Sequence, residues 1–278
     1  MRAPCLIAWL TVAAVTAALA GPLEDADAAS ARGDYANAFK MYKLLAEGGS
    51  TNAQFQLGVM YENGRGTTQD YAEAMKWYRR AADKGFGGAQ NNIGLMYEDG
   101  LGVPKDYAEA AKWYRRAAAL DYPEAQYNLG KMYEEGLGIP QDYAEALKFY
   151  RLAMDQKFMP AARRLGGLFQ KGLGVPQDLV EAVRLYRRAA DQGDSFAQNN
   201  LGVMYATGQG VPLDDVQAYR WFSISLALGN AISAKNRERV AARMTPAQVA
   251  EGEKLAREWR PTAAMPSITI RPRKGDTP

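Results

Sequence analysis

The chain has 278 residues, of which 47% are hydrophobic and 23% are charged, a balance typical of a globular protein with a buried core. The formal net charge of +3 is too small to make nucleic acid an expected partner. The sequence contains no histidine and one cysteine, Cys5, which excludes Ser-His-Asp and Cys-His catalysis, histidine-ligated metal sites and an intramolecular disulfide bond.

The first twenty residues have the pattern of a secretory signal peptide. Arg2 provides a positive charge, and residues 6–19 are nearly all apolar. The small residues Ala18 and Ala20 then form a cleavage site, and the apolar stretch is too short to span a bilayer comfortably. We therefore predict a signal peptide over 1–20, export to the periplasm or the cell exterior, and no membrane span after signal removal.

From Ala53 onward the sequence repeats with a period of 36 residues. AQNNIGLMYEDGLGVPKDYAEAAKWYRRAA begins at Ala89, and AQYNLGKMYEEGLGIPQDYAEALKFYRLAM begins at Ala125. A fixed period of this length predicts a stacked repeat architecture. The full units are 53–88, 89–124, 125–160, 161–196 and 197–232, with a partial unit at 23–52 and a divergent segment at 233–260.

Each unit contains two helix patterns joined by a glycine-rich loop. In the unit 89–124, apolar residues at helical spacing precede Gly100, which favours a helix end. Asp106 fits the N-cap of a second helix, and Glu109 completes a capping box. The same N-cap residue recurs in the other full units, as Asp70, Asp142, Asp178 and Asp214.

A glycine recurs in the middle of every first helix, where glycine costs about 1 kcal/mol relative to alanine. We predict that close approach of the paired helix requires these glycines, which are Gly58, Gly94, Gly130, Gly166 and Gly202. An aromatic pair, such as Trp113 and Tyr114, recurs in most of the second helices. At helical spacing we interpret this pair as core between repeats.

The turn between units favours a residue in the left-handed backbone conformation, and Gly85 occupies this position. Lys157 replaces the glycine in one unit, so we expect an altered turn there. Near the end of the chain, Thr245 and Pro246 predict the start of a capping helix. Residues 261–278 depart from the pattern and are predicted to be a disordered tail.

The pattern A-x-x-x-L-G-x-M-Y-x-x-G-x-G-V-P-x-D-Y-x-E-A-x-x-W-Y-x-x-A-A is similar to the Sel-one-like repeat, a relative of the tetratricopeptide repeat. One unit carries it at Leu129, Gly130, Met132, Tyr133, Gly136, Gly138, Pro140, Asp142, Tyr143, Ala146 and Tyr150. The resemblance implies an all-α fold, a right-handed α/α superhelical solenoid whose first helices line a concave surface. With the C-terminal capping helix, this solenoid is predicted to span 21–260. The resemblance also implies a scaffold role in protein complexes.

The first-helix positions that change between units form rows, and by the resemblance these positions face the concave side. Their amides combine donors with acceptors, which suits a bound peptide. We predict a groove for a protein or peptide partner, with an acidic stretch opposite Arg163 and Arg164. The alternative is that these positions vary because they are solvent-exposed. The predicted groove residues are Phe55, Gln56, Asn91, Asn92, Leu95, Tyr127, Asn128, Lys131, Arg163, Arg164, Asn199 and Asn200.

The leading interpretation is a non-enzymatic scaffold without catalytic, cofactor-binding or metal-ligating residues. One alternative is an envelope glycosidase that uses the recurrent Glu62, Glu98 and Glu134. Packed helices lie about 8–10 Å apart, however, whereas a retaining pair of carboxylates needs about 5–5.5 Å and an inverting pair about 6.5–9.5 Å. The inverting distance is barely reachable, and nothing in the sequence desolvates one carboxylate selectively. The resemblance also includes secreted, disulfide-stapled relatives associated with β-lactam binding, but this chain lacks the cysteines. A self-associating structural protein is the third alternative.

Overall fold

The computed structural model describes residues 21–262, and every regular element in that range is an α-helix. The predicted signal peptide, 1–20, lies outside the described residues, as does the predicted tail from residue 263 onward. Between residues 21 and 262, no helix is long and apolar enough to cross a membrane. The chain forms two compact units, Met1–Tyr122 and Pro123–Pro278, called here the N-terminal and C-terminal units.

Consecutive helices pack against one another within each unit, which confirms the all-α fold class of paired helices. The N-terminal unit contains α1 (Pro22–Ala31), α2 (Tyr35–Glu47), α3 (Thr51–Asn63), α4 (Tyr71–Ala82), α5 (Gly87–Asp99) and α6 (Tyr107–Ala118). The C-terminal unit contains α7 (Pro123–Glu135), α8 (Tyr143–Asp155), α9 (Pro160–Lys171), α10 (Leu179–Ala190), α11 (Ser195–Thr207), α12 (Asp215–Ala227), α13 (Ile232–Ala241) and α14 (Pro246–Glu258). The first helices of the full repeats are α3, α5, α7, α9 and α11.

The recurrent aspartates cap the second helices as predicted. The Asp106 carboxylate accepts hydrogen bonds from the N–H groups of Ala108 and Glu109, at 2.9 and 3.0 Å. The capping-box prediction is wrong in one respect, because the Glu109 side chain pairs forward with Lys112 rather than back with the N-cap backbone. Asp70 and Asp142 cap in the same way, whereas Asp178 and Asp214 each accept one hydrogen bond, from the N–H group three residues later.

The mid-helix glycines allow the paired helix to approach closely, which confirms their predicted role. A Cβ atom on Gly94 would lie 2.6 Å from the ring of Tyr114, and Tyr114 is fully buried. The corresponding pairs in the other repeats are Gly58 with Tyr78, Gly130 with Tyr150, Gly166 with Tyr186, and Gly202 with Phe222. Each second helix therefore places an aromatic ring directly on the backbone of its first helix.

The loop inside the last full repeat also depends on a close backbone approach. Gly210 has φ +70°, and a Cβ atom on it would lie 2.2 Å from the carbonyl oxygen of Leu179 at the start of α10. Gly208, two residues earlier, has φ +66°, but its nearest contact would be an ordinary 3.4 Å. The second loop glycine thus joins one repeat to the second helix of the repeat before it.

The C-terminal helices cover the last repeat as predicted. Thr245 and Gln248 form a reciprocal capping box at the start of α14, with Pro246 at the first helical position. Val249 packs against the core around Phe222, and Trp259 packs against the larger core of the C-terminal unit.

The turn at Lys157 is slightly altered relative to the turn at Gly85, as expected, because the helices on both sides of it end and begin at different places. Lys157 adopts the left-handed conformation with φ +66°. Two backbone hydrogen bonds of 2.9 and 3.0 Å close this turn, against 2.9 and 3.1 Å at Gly85. The preceding helix, α8, continues to Asp155, one residue further than α4 does at the equivalent position. The next helix, α9, begins at Pro160, one residue later than a period of 36 places it after Pro123.

Lys157→Gly is therefore expected to raise the free energy of unfolding by about 1 kcal/mol, because a lysine in this conformation costs roughly 1–2 kcal/mol, partly offset by the greater freedom of glycine in the unfolded chain. The urea midpoint measures the gain. Asp121→Gly is the control and should gain less, because aspartate tolerates the left-handed region better. A lower midpoint for Lys157→Gly would contradict the expectation.

Candidate functional site

The predicted groove residues lie on the first helices, α3 and α5 in the N-terminal unit and α7, α9 and α11 in the C-terminal unit. Most of their side chains are half-buried, and Asn91 and Asn128 are buried. A position that varied only because it was solvent-exposed would leave its side chain largely exposed to water. These side chains instead contact neighbouring helices and turns, so part of their variation has a structural cause.

The first row of variable positions consists of Phe55, Asn91, Tyr127, Arg163 and Asn199. Three of these residues contact the residue 31 positions later, at the turn that follows the second helix, whereas Asn199 accepts hydrogen bonds from Ser233 and Asn236. The rings of Phe55 and Phe86 have centroids 4.9 Å apart. In the next such pair, the ring centroids of Tyr127 and Phe158 are 5.2 Å apart. The third pair is ionic, and Arg163 Nε lies 3.1 Å from Asp194 Oδ2. The two members of each pair change together from aromatic to ionic chemistry.

The second row of variable positions consists of Gln56, Asn92, Asn128, Arg164 and Asn200. It lies beside a buried or part-buried hydrogen bond that recurs within the repeats, called here the tyrosine–acceptor pair. The Tyr114 hydroxyl donates to Glu98 Oε2 at 2.6 Å, and both residues are buried. The other pairs are Tyr42 with Asp27, Tyr78 with Glu62, Tyr150 with Glu134, and Tyr186 with Gln170. The last full repeat has Phe222 and Ala206 instead, so donor and acceptor are absent together.

Second-row side chains reach these tyrosines from the next repeat. Asn92 lies beside the Tyr78 hydroxyl and Asn200 beside the Tyr186 hydroxyl, and each amide lowers the pKa of its tyrosine against the larger effect of burial. Burial raises the pKa of Tyr186 to about 12, and it also raises the pKa of Tyr78. Both hydroxyls therefore stay protonated at neutral pH and can donate to their acceptors.

The recurrent glutamates have a structural role in this arrangement. Glu62 and Glu98 are about 95% buried, and each accepts a hydrogen bond from the tyrosine of its own repeat. They belong to the core of the helix pair. This placement gives no support to the glycosidase alternative, which needs two carboxylates facing an open cleft.

Arg163 and Arg164 already have acidic partners within the C-terminal unit. Arg163 pairs with Asp194, and Arg164 lies 3.5 Å from both Glu134 and Glu135. Both arginine side chains are only 25% exposed. An acidic partner segment at this place would have to compete with these internal carboxylates.

The N-terminal unit contains an open cleft of about 260 Å³ between α1 and α3, called here the N-terminal cleft. It brings together two predicted groove residues, Phe55 and Gln56, with Asp27. Sequence reasoning did not select Asp27. The spacing of acidic residues and tyrosines could have identified it. Asp27 precedes Tyr42 by 15 residues, which is close to the 16 residues by which Glu62 precedes Tyr78. The lining residues are Leu23, Asp27, Asn52, Phe55, Gln56 and Phe86.

Comparison with known proteins identifies the repeat. The Sel1 repeat family model matches six consecutive segments, 29–50, 51–86, 88–122, 123–158, 160–194 and 195–230. A comparison of the sequence with curated proteins finds no match.

Solved structures show the same relationship. The chain is similar to a Sel1 repeat protein from Oxalobacter formigenes, with 30% identity, a TM-score of 0.75, and coverage of 88% of this chain and 99% of that chain. It is less similar to the Pseudomonas aeruginosa protein 5086, with 20% identity, a TM-score of 0.50, and coverage of 80% of this chain and 89% of that chain. The protective antigen c5321 of uropathogenic Escherichia coli, which displays an SLR fold, is 24% identical to this chain. Its TM-score is 0.42, and the match covers 87% of this chain and 77% of that chain. With its six matched repeats and its paired helices, the chain belongs to the Sel1 repeat family.

Proposed function

We propose that this chain is an exported, non-enzymatic scaffold that binds a protein or peptide segment along its first helices. Sel1 repeats typically serve as scaffolds for protein–protein interaction. The signal-peptide pattern of residues 1–20 supports export to the periplasm or the cell exterior. No cofactor is part of the proposal.

The N-terminal cleft is the observation that carries the binding proposal. It presents partly exposed aromatic rings, Phe55 and Phe86, beside amide groups and one carboxylate. Concave sites that combine apolar walls with a few polar groups are typical binding sites. Aromatic side chains also contribute strongly to interfaces. Within the N-terminal unit, the other groove positions on α5, which are Asn91, Asn92 and Leu95, are proposed to continue the contact.

The test compares two leucine substitutions in capture experiments from an exported fraction, with quantitative mass spectrometry. Leu95→Glu places a charge at a groove position, whereas Leu44→Glu is the control, because Leu44 on α2 is 72% exposed. We expect one protein to be recovered equally by the unsubstituted chain and Leu44→Glu, and about tenfold less by Leu95→Glu, since a hot-spot residue contributes about 1–2 kcal/mol or more. Melting temperatures establish that both variants fold. Equal recovery by all three chains would contradict groove binding.

A further inference from the structure

We propose that the N-terminal cleft is a binding site for an arginine side chain of a partner segment, held between the Asp27 carboxylate and the rings of Phe55 and Phe86. This inference rests on the proposed function and specifies the chemistry of the partner at one place. The cleft volume of about 260 Å³ far exceeds the ~30 Å³ that one water takes in the liquid, so the end of a long side chain fits.

The C-terminal unit contains an internal version of this contact. Arg164 stands three periods of 36 residues after Gln56, and its guanidinium lies 3.5 Å from Glu134. Glu134 accepts a hydrogen bond from the Tyr150 hydroxyl, just as Asp27 accepts one from the Tyr42 hydroxyl at 2.5 Å. At this position of the repeat, the chain itself therefore places a guanidinium against the acceptor of a tyrosine–acceptor pair.

The N-terminal cleft has the same acceptor without the internal cation. Gln56 is neutral and half-buried, and Asp27 is exposed. Within residues 21–262, Asp27 receives the hydrogen bond from Tyr42 and forms no ion pair. Two further carboxylates, Glu24 and Asp25, lie exposed on the same helix, so the local charge favours a cationic guest.

The aromatic walls favour arginine over lysine. The rings of Phe55 and Phe86 are inclined by 38° and are partly exposed in the cleft. A planar guanidinium can stack on an aromatic face while its N–H groups bind a carboxylate, whereas an ammonium group is a more strongly hydrated point charge.

An NMR titration of the ¹⁵N-labelled chain lacking residues 1–20 tests the inference. The probes are acetyl-Ala-Ala-Arg-Ala-Ala-amide and two analogues, with citrulline or lysine in place of arginine. We expect the arginine peptide to shift the amide signals of Asp27, Phe55, Gln56 and Phe86 with a millimolar Kd, and both analogues to bind about tenfold more weakly. Equal binding of either analogue, or no shift at these residues up to roughly 10 mM peptide, would overturn the inference.

Two variants and a control locate the contact. Asp27→Asn is expected to weaken the arginine peptide about tenfold, while Asp25→Asn, the same change on the same helix, leaves binding within about twofold. Gln56→Arg copies the internal cation of α9 and is expected to abolish binding. Equal weakening by the two aspartate variants would show only a diffuse charge effect and would sink the inference. Undiminished capture of the natural partner by Asp27→Asn would also overturn it, while leaving the proposed scaffold function intact.

Discussion

Gly210→Ala is expected to destabilise the chain by about 3–5 kcal/mol. Two costs add at this loop position. The left-handed φ of +70° costs an alanine roughly 1–2 kcal/mol, and the new methyl group would meet the backbone carbonyl of Leu179 at 2.2 Å. A backbone oxygen cannot rotate away as a flexible side chain can, so α10 or the loop must move. The shift of the urea unfolding midpoint, followed by circular dichroism, measures the loss.

Gly208→Ala separates the two costs. Gly208 lies in the same loop with nearly the same φ, but a methyl group there would make only an ordinary contact at 3.4 Å. It should lose only the roughly 1–2 kcal/mol of the backbone conformation. If both variants lost the same stability, the contact between the loop and the preceding repeat would have no energetic role.

Tyr114→Phe is expected to lower the free energy of unfolding by about 2–3 kcal/mol. The change removes the donor to Glu98 inside the helix pair, and a hydrogen bond to a charged group contributes about 1.5–3 kcal/mol. The control is Tyr186→Phe, whose acceptor Gln170 is neutral, and it should cost only about 1 kcal/mol. Thermal and urea unfolding measure both losses.

The double variant Tyr114→Phe with Glu98→Ala tests whether the two residues act as a unit. It copies the natural combination of Phe222 with Ala206 in the last full repeat. A double-mutant cycle should give a coupling of about 1 kcal/mol or more, because losing both groups avoids a buried carboxylate without its tyrosine donor. Strictly additive losses would show that the pair contributes no specific hydrogen bond.

The paired helices and their ends could be predicted from the sequence because local signals specify them. Asp106 is an N-cap whose donors lie two and three residues away, so its role can be derived from a short segment. Gly94 could be assigned to a close approach because glycine in a helix interior is otherwise unfavourable. The ring that requires this glycine, Tyr114, is set by how α5 and α6 face each other, and this is a property of packing.

The contacts of the groove residues could not be derived in the same way, because their partners lie far along the chain. Arg163 was predicted to face a partner, yet it binds Asp194, 31 residues later. Asn92 is predicted from the sequence to face a bound peptide, yet it lies beside the hydroxyl of Tyr78 in the preceding repeat. A comparison of the repeats with one another could have identified these partners. Phe55 and Phe86 of one repeat are both replaced in another, by Arg163 and Asp194, which indicates that the two positions are in contact.

The 31-residue spacing of these contacts has a consequence for how such a chain changes its length. In each of the three pairs spaced by 31 residues, both members fall inside one 36-residue unit, as Tyr127 and Phe158 both fall inside 125–160. Gain or loss of a whole unit, cut at the alanine that begins each copy, leaves every such contact intact. A cut within a helix would separate the two residues. Gene duplication in phase with the alanine register can therefore lengthen the array without separating these within-unit pairs.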